Sequence, residues 1–245
     1  MNSAREHDLR RGFMPWIGLL LIALASGCAS TGNGPDNDDP LEPFNRKMHA
    51  FNDAVDKAVL KPVARGYTAI TPDPVETSVH NFFLNLGYPT VVINQFLQGK
   101  PVAGLRDSAR FLTNTTLGVG GLFDVARHFG LEHHDEDFGQ TFAVWGVGRG
   151  VFLVAPFFGP TTIRDGAGSG VGTFTSPTHY IDDDAVRWSL RGIDLVDTRA
   201  QLLDAEGMIS GDRYLFIRDA YLQRRDYLIN DGRIEEDPFL TDDFE

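Results

Sequence analysis

The sequence predicts a mainly α-helical single domain built of short amphipathic and broken helices. Three observations carry that expectation. Apolar residues recur at steps of three and four along most of the chain, period-two alternation is almost absent, and one long apolar stretch is interrupted by glycine and proline. That stretch, Phe138 to Ile163, reads FGQTFAVWGVGRGVFLVAPFFGPTTI and contains Arg149 as its only formal charge. Gly139, Gly146, Gly148, Gly150 and Gly159, with Pro156 and Pro160, deny it a continuous helix, so it is not a membrane span. Two readings remain open for these residues. They form either a glycine-rich core or broken backbone at bilayer depth, packed against protein or lining a water-filled cavity.

In chain order, residues 1–27 have the layout of a secretory signal. Arg5, Arg10 and Arg11 form a basic region, Phe13 to Ala25 an apolar one, and Ala25-Ser26-Gly27 ends it in small residues. Cys28, the only cysteine, follows at once. Leu24-Ala25-Ser26-Gly27-Cys28 resembles the lipobox of bacterial lipoproteins, which implies acylation of Cys28; the alternative is a free cysteine after ordinary cleavage. Each buried methylene contributes about 0.8 kcal/mol, so several acyl chains amount to permanent membrane attachment. By the same resemblance, Ala29 rather than Asp suits sorting to an outer membrane.

The whole chain carries a net charge of −12. Removing residues 1–27 takes away three Arg against Glu6 and Asp8, which makes the remainder one unit more negative. This balance argues against nucleic acid and against charge-driven docking on anionic lipid. Residues 28–38 read as a lipidated linker, 39–232 as one helical domain, and 233–245 as an acidic, disordered tail.

The first ordered element is signalled by Leu41, Phe44, Met48, Phe51, Val55 and Val59, which share one helical face, while Glu42, Asn45, Arg46, Asn52 and Asp56 face away. Pro62 is expected to end it. Its apolar face packs either on its own core or on a lipid interface, with Phe44, Met48 and Phe51 as the interface candidates. Asp73-Pro74-Val75-Glu76 starts a helix that Gly87 should stop, and Pro89 starts another that Gly99 should stop. Pro101 opens a third, with Leu105, Ala109, Leu112 and Thr116 along one side, ending at Gly118, Gly120 and Gly121. A short fourth spans Leu122 to His128. After the broken stretch, Gly166, Ala167, Gly168, Ser169, Gly170 and Gly172 suit either close backbone packing or tight loops. Two helices close the domain: Val186 to Leu203, after Asp182-Asp183-Asp184, and Tyr214 to Leu228, with Gly232 beyond its end.

Several motifs in fixed order add a resemblance. Asp39-Pro40-Leu41-Glu42-Pro43-Phe44-Asn45-Arg46, Phe96-Leu97-Gln98-Gly99, Arg110 to Gly118 with Gly120-Gly121 and Asp124, and Asp137-Phe138-Gly139-Gln140-Thr141 resemble the VacJ/MlaA lipoprotein family. So do Trp145-Gly146-Val147-Gly148, Gly159-Pro160 with Arg164-Asp165, and Arg218 to Arg225. Val151, Ala155, Thr161 and Arg213 depart from the family's usual residues. The resemblance covers Asp39 to about Gly232 and implies a ring-like helical domain embedded in the periplasmic leaflet of a Gram-negative outer membrane, with an amphipathic channel. It implies removal of mislocalised phospholipids from the outer leaflet, transfer to a periplasmic lipid-carrier protein, and association with a trimeric porin. It implies neither a cofactor nor a metal. On this reading Trp145, Gly146, Gly148, Arg149, Gly150, Phe152, Phe157 and Phe158 are the lipid-channel candidates. Arg149 is placed to meet a phosphate, or else to pair with an acidic neighbour.

Catalytic readings are weaker. Ser169 lies between Gly168 and Gly170, but Ala167 and Val171 break the G-x-S-x-G spacing of a phospholipase-like nucleophile. His133, His134 and Glu136 fall in a polar segment that reads as a wet loop rather than a metal site. The glycine strings follow no strand, so a nucleotide loop is not indicated. A structural lipoprotein bracing a porin stands as the other alternative.

Overall fold

The computed structural model describes residues 39–233. The signal segment, the linker with Cys28, and the tail from residue 234 lie outside the described residues. Within this body Asp39 ties down the start of the first helix, accepting from Leu41 N at 3.1 Å and Asn45 Nδ2 at 3.0 Å, and it also receives the Tyr214 hydroxyl. Helix α1, Glu42–Val55, runs through a π turn at Asp56–Leu60 into α2, Lys61–Ile70. Pro62 therefore does not end the helix. The wider turn, in which Lys61 N bonds Asp56 O, accommodates the proline ring and its missing N–H without a break.

Helix α3, Asp73–Leu97, begins after the extended Pro72 and continues through both Gly87 and Pro89, where two helices were expected. Pro89 forfeits one ladder bond, but α3 packs along α4, Pro101–Thr116, and this tertiary contact overrides the local break. Gly99, with φ +75°, turns the chain between the two, as the glycine stop predicts. Instead of a helix over Leu122 to His128 there is only a 3₁₀ turn at Ala126–Phe129.

The broken stretch resolves into helix α5, Phe138–Val144, a loop, and an antiparallel hairpin of β1, Phe152–Ala155, and β2, Gly159–Thr162. The glycine-rich segment after it is helical: α6, Ile163–Gly172. A Cβ on Gly168 would stand 2.3 Å from Gly139 N, so α5 and α6 meet backbone to backbone. Helices α7, Asp184–Gln201, and α8, Arg213–Ile229, complete the body. The side chains of Asp137, Thr162, Asp183 and Asp212 accept backbone N–H groups and cap the starts of α5, α6, α7 and α8.

The interior is the reverse of an ordinary core. Among the described residues, buried polar and charged side chains number fifteen against eight apolar ones. On α1 the buried residue is Asn45, whereas Leu41, Phe44 and Phe51 are exposed. On α4 the buried residues are Gly104, Asp107, Arg110 and Asn114, whereas Leu105 and Leu112 are 65% and 58% exposed. On α4 periodicity grouped the side chains correctly without saying which group turns inward; on α1 it also placed Met48, which packs against the buried cluster, with the exposed Phe44 and Phe51.

Ion pairs and hydrogen bonds join the helices in place of apolar packing. Asp107 accepts from Tyr88 Oη at 3.2 Å and Gln95 Nε2 at 2.9 Å, and lies 2.9 Å from His134 Nδ1. Arg110 donates to Asp124 at 2.8 Å. Arg225 bridges Asp137, at 2.6 Å, and Asp165, at 3.0 Å, so that α8 clamps the α5–α6 contact. Asp197 on α7 lies 2.9 Å from His80 on α3 and accepts from Tyr67 on α2 at 3.2 Å.

Candidate functional site

The segment singled out in the sequence, Trp145 to Phe158, starts where α5 stops. The Trp145 indole N–H donates to Leu97 O at 3.0 Å, tying the helix end to α3 while leaving the ring 56% exposed. Gly146 (φ +87°) then reverses the chain into an exposed loop holding Gly148, Arg149 and Gly150. Gly150 also has a positive φ, of +69°, and a Cβ there would press against Ile163 Cβ at 3.0 Å. Arg149 is exposed; its carbonyl accepts from Arg164 N, and its guanidinium has no carboxylate partner among the described residues. The expected alternative, a salt bridge, is therefore not formed there.

The hairpin divides the remaining candidates. Phe152 is 7% exposed and packs with Val154 and Tyr214 in the apolar cluster, with Tyr221 and Met48 against it. Phe157 and Phe158, at the turn, are 70% and 90% exposed, and Phe157 holds a positive φ of +67°. Of the three interface candidates on α1, Phe44 and Phe51 face outward, with Phe51 meeting Phe157 edge-on at 5.2 Å, while Met48 turns toward the cluster. The structure thus pairs Phe51 with Phe157 on the surface, with Phe158 exposed next to them at the turn. Phe152 is set apart as the root of the hairpin.

Two residues that the pattern places away from the apolar stripe of α1 hold this hairpin. Asn45 donates from Nδ2 to Phe152 O at 3.1 Å and accepts from Val154 N at 2.9 Å. Two helical turns later, Asn52 donates to Ala155 O at 2.9 Å and accepts from Phe157 N at 2.8 Å. Each carboxamide reproduces the donor and acceptor of a peptide group, so α1 satisfies the edge of β1 that β2 leaves unpaired. The sequence signal was present as two asparagines at i and i+7, which share a face and lie about 10 Å apart along a helix.

A separate cavity of about 710 Å³ opens between the start of α4, the segment from His133 to Glu136, and the end of α8. None of the channel candidates lines it. Burial raises the Glu136 carboxyl above its ordinary pKa despite the amide of Gln98, at 2.6 Å, and Lys100, at 3.2 Å. The hydrogen bond to Asp107 raises that of His134. At Asp165, burial would raise the carboxyl, but Arg225 and Tyr221 outweigh it and hold it below the usual range.

The Ser169 hydroxyl donates to Asp165 O at 3.0 Å, one turn back on its own helix, and so faces no base. His133 contacts Asp135 at 3.0 Å. The arrangement offers an apolar exterior, a polar interior, an exposed aromatic tip and, at Arg149, a guanidinium without a carboxylate partner among the described residues. No described helix is long and apolar enough to cross a membrane.

Comparison with known proteins agrees over almost the whole described body. The family model described as MlaA lipoprotein matches residues 37–228. The chain is 38% identical over 221 residues to the intermembrane phospholipid transport system lipoprotein MlaA of Escherichia coli (strain K12), covering 86% of this chain and 87% of that protein. It is 32% identical over 242 residues to the protein of the same name from Haemophilus influenzae, covering 91% and 96%. A solved structure described as the "Structural basis for maintenance of bacterial outer membrane lipid asymmetry" superposes with a TM-score of 0.69 at 38% identity, covering 79% of this chain and all of that one.

Proposed function

The chain belongs to the MlaA lipoprotein family, and from that premise we propose that it removes phospholipids that have strayed into the outer leaflet of a Gram-negative outer membrane. It passes them to a soluble periplasmic carrier for return to the inner membrane. The observation that carries this reading is the inverted packing: polar groups fill the interior while Phe44, Phe51, Leu105, Leu112, Phe157 and Phe158 face outward. A phospholipid leaving a bilayer intact needs a polar path for its head group beside an apolar one for its chains. Broken helices with a polar inside and an apolar outside supply both without crossing the membrane.

On this account Cys28 carries the acyl anchor, and the domain sits as a ring in the periplasmic leaflet around an amphipathic channel. Trp145, Gly146, Gly148, Gly150, Phe157 and Phe158 form its mobile wall, and Arg149 meets the lipid phosphate. Phe152 acts indirectly, by rooting the hairpin. A trimeric porin holds the ring in register with the membrane. The protein performs no bond chemistry, and direction comes from the carrier and the machinery beyond it.

The test is phospholipid exposed on the outer leaflet of cells lacking the gene, compared with cells restored with wild type, Cys28→Ala or Arg149→Glu. Exposure should rise on deletion and be reversed by wild type alone. No rise on deletion, with porin assembly impaired instead, would replace transport by bracing.

A further inference from the structure

The cavity at the start of α4 contains the groups that head-group selection needs. Gln95 lines this cavity and is 2% exposed. Its Nε2 donates to Asp107 Oδ2 at 2.9 Å, which fixes the amide's orientation because a carboxylate only accepts. Its Oε1 is buried with no hydrogen-bond partner among the described residues. A buried acceptor in that state calls for a donor brought by a ligand. Arg106, exposed on the same wall, has no carboxylate partner among the described residues. It calls for an anion.

The remaining charges favour a ligand that also carries a cation. Lys100 lies between Glu136, at 3.2 Å, and Asp231, so two carboxylates share one ammonium. The other acid of the wall is occupied, since Asp135 accepts from Arg224 at 3.0 Å. An apolar track leaves the cavity: Val102 lines it and is 64% exposed, and Leu105 continues the same outward stripe of α4 at 65%. A polar pocket with an unpaired cation, an unpaired acceptor and a carboxylate surplus, opening onto apolar surface, fits an amphiphile with a zwitterionic head.

We propose that this cavity binds the head group of an aminophospholipid, a phosphodiester joined to a primary ammonium. Arg106 contacts the phosphate, Glu136, Asp231 and Gln95 Oε1 receive the ammonium, and the acyl chains follow Val102 and Leu105 outward. The inference rests on the transport reading and supplies its head-group preference.

The experiment titrates the purified full chain in detergent with short-chain phosphatidylethanolamine, short-chain phosphatidylglycerol and water-soluble glycerophosphoethanolamine. Phosphatidylethanolamine should bind about tenfold more tightly than phosphatidylglycerol, which lacks the ammonium. Arg106→Ala should weaken both lipids about tenfold, and, being an exposed change with no partner to strand, should leave the helical circular dichroism unchanged. Asp231→Asn should bring the ratio between the two lipids toward one while phosphatidylglycerol binding holds. Equal binding of both lipids by wild type, or wild-type affinity in Arg106→Ala, would overturn the proposal. Glycerophosphoethanolamine binding as tightly as the lipid would overturn the lipid source and leave a site for a free head group. Arg106→Ala is also expressed in the deletion cells. Full restoration of asymmetry by it sinks this site and leaves transport standing, whereas a deletion without phenotype sinks transport itself.

Discussion

Helices α3 and α4 meet through Tyr88, Gln95, Asp107 and Arg110, whereas the β1–β2 hairpin meets α1 and α8 through Phe152, Val154, Met48 and Tyr214. In the first region directional bonds do what apolar packing does in an ordinary core. In the second a small apolar cluster suffices, because Asn45 and Asn52 close the hairpin's open edge. The difference follows from what each element shows to the outside. On the proposed function lipid covers the apolar outward face of α4 and satisfies it as well as a neighbouring helix would, so only polar contacts specify the partner. The hairpin's strands present peptide groups, which nothing apolar satisfies.

The largest effect should come from the polar node. Asp107→Leu strands Tyr88, Gln95 and His134 at once, and should lower unfolding free energy in detergent by about 3–5 kcal/mol. A loss below that of any single change in the hairpin cluster would reverse the comparison. Gly168→Val forces a side chain into Gly139 N and should cost about 1–3 kcal/mol, with α5 and α6 separating; a mild loss of thermal stability without that separation would mean the two backbones can slide. Asn52→Leu removes two hydrogen bonds to the hairpin tip, at about 1 kcal/mol each. Amide exchange at Phe157 should then speed up while that at Val154, held by Asn45, stays slow.

The smallest effect is one of pH. His134 has its folded pKa raised above the ordinary imidazole value of about 6.5 by its bond to Asp107. The stability it contributes is therefore fully present below about 6.5 and fades as pH rises through the folded value. His134→Gln should flatten that slope between wild-type unfolding curves taken in mildly acidic and alkaline buffer. An unchanged slope would show that His134 is not the source of the pH dependence.

Much of this arrangement could be read from the residues alone. The helical class, the stop at Gly99, the start at Pro101, and the two closing helices followed from periodicity and end signals, because those are local properties of the chain. Helix α3 passing through Pro89 did not, since the contact that overrides the proline lies on another element. The hairpin was missed because its strands are four residues each, too short for alternation to stand out. The direction of burial was the deepest omission. Spacing tells which side chains share a face, but whether Leu105 or Asp107 turns inward depends on the medium outside, which the spacing does not record. Asn45 and Asn52 were grouped with the polar face of α1, but that this face turns toward the hairpin was not legible for the same reason.

If acyl chains cover the outward apolar faces, Trp145 reports on it directly, because its ring is 56% exposed. After removal of residues 1–27 the chain retains two tryptophans, Trp145 and Trp188, so Trp188→Phe leaves Trp145 as the sole indole. The anchored protein would be reconstituted into bilayers whose phospholipid chains carry bromine, and its fluorescence compared with that in unbrominated lipid. Strong quenching by the brominated chains, with protection from aqueous iodide, is the predicted result. Emission unchanged by bromine and readily quenched by iodide would contradict the account, placing this face in water.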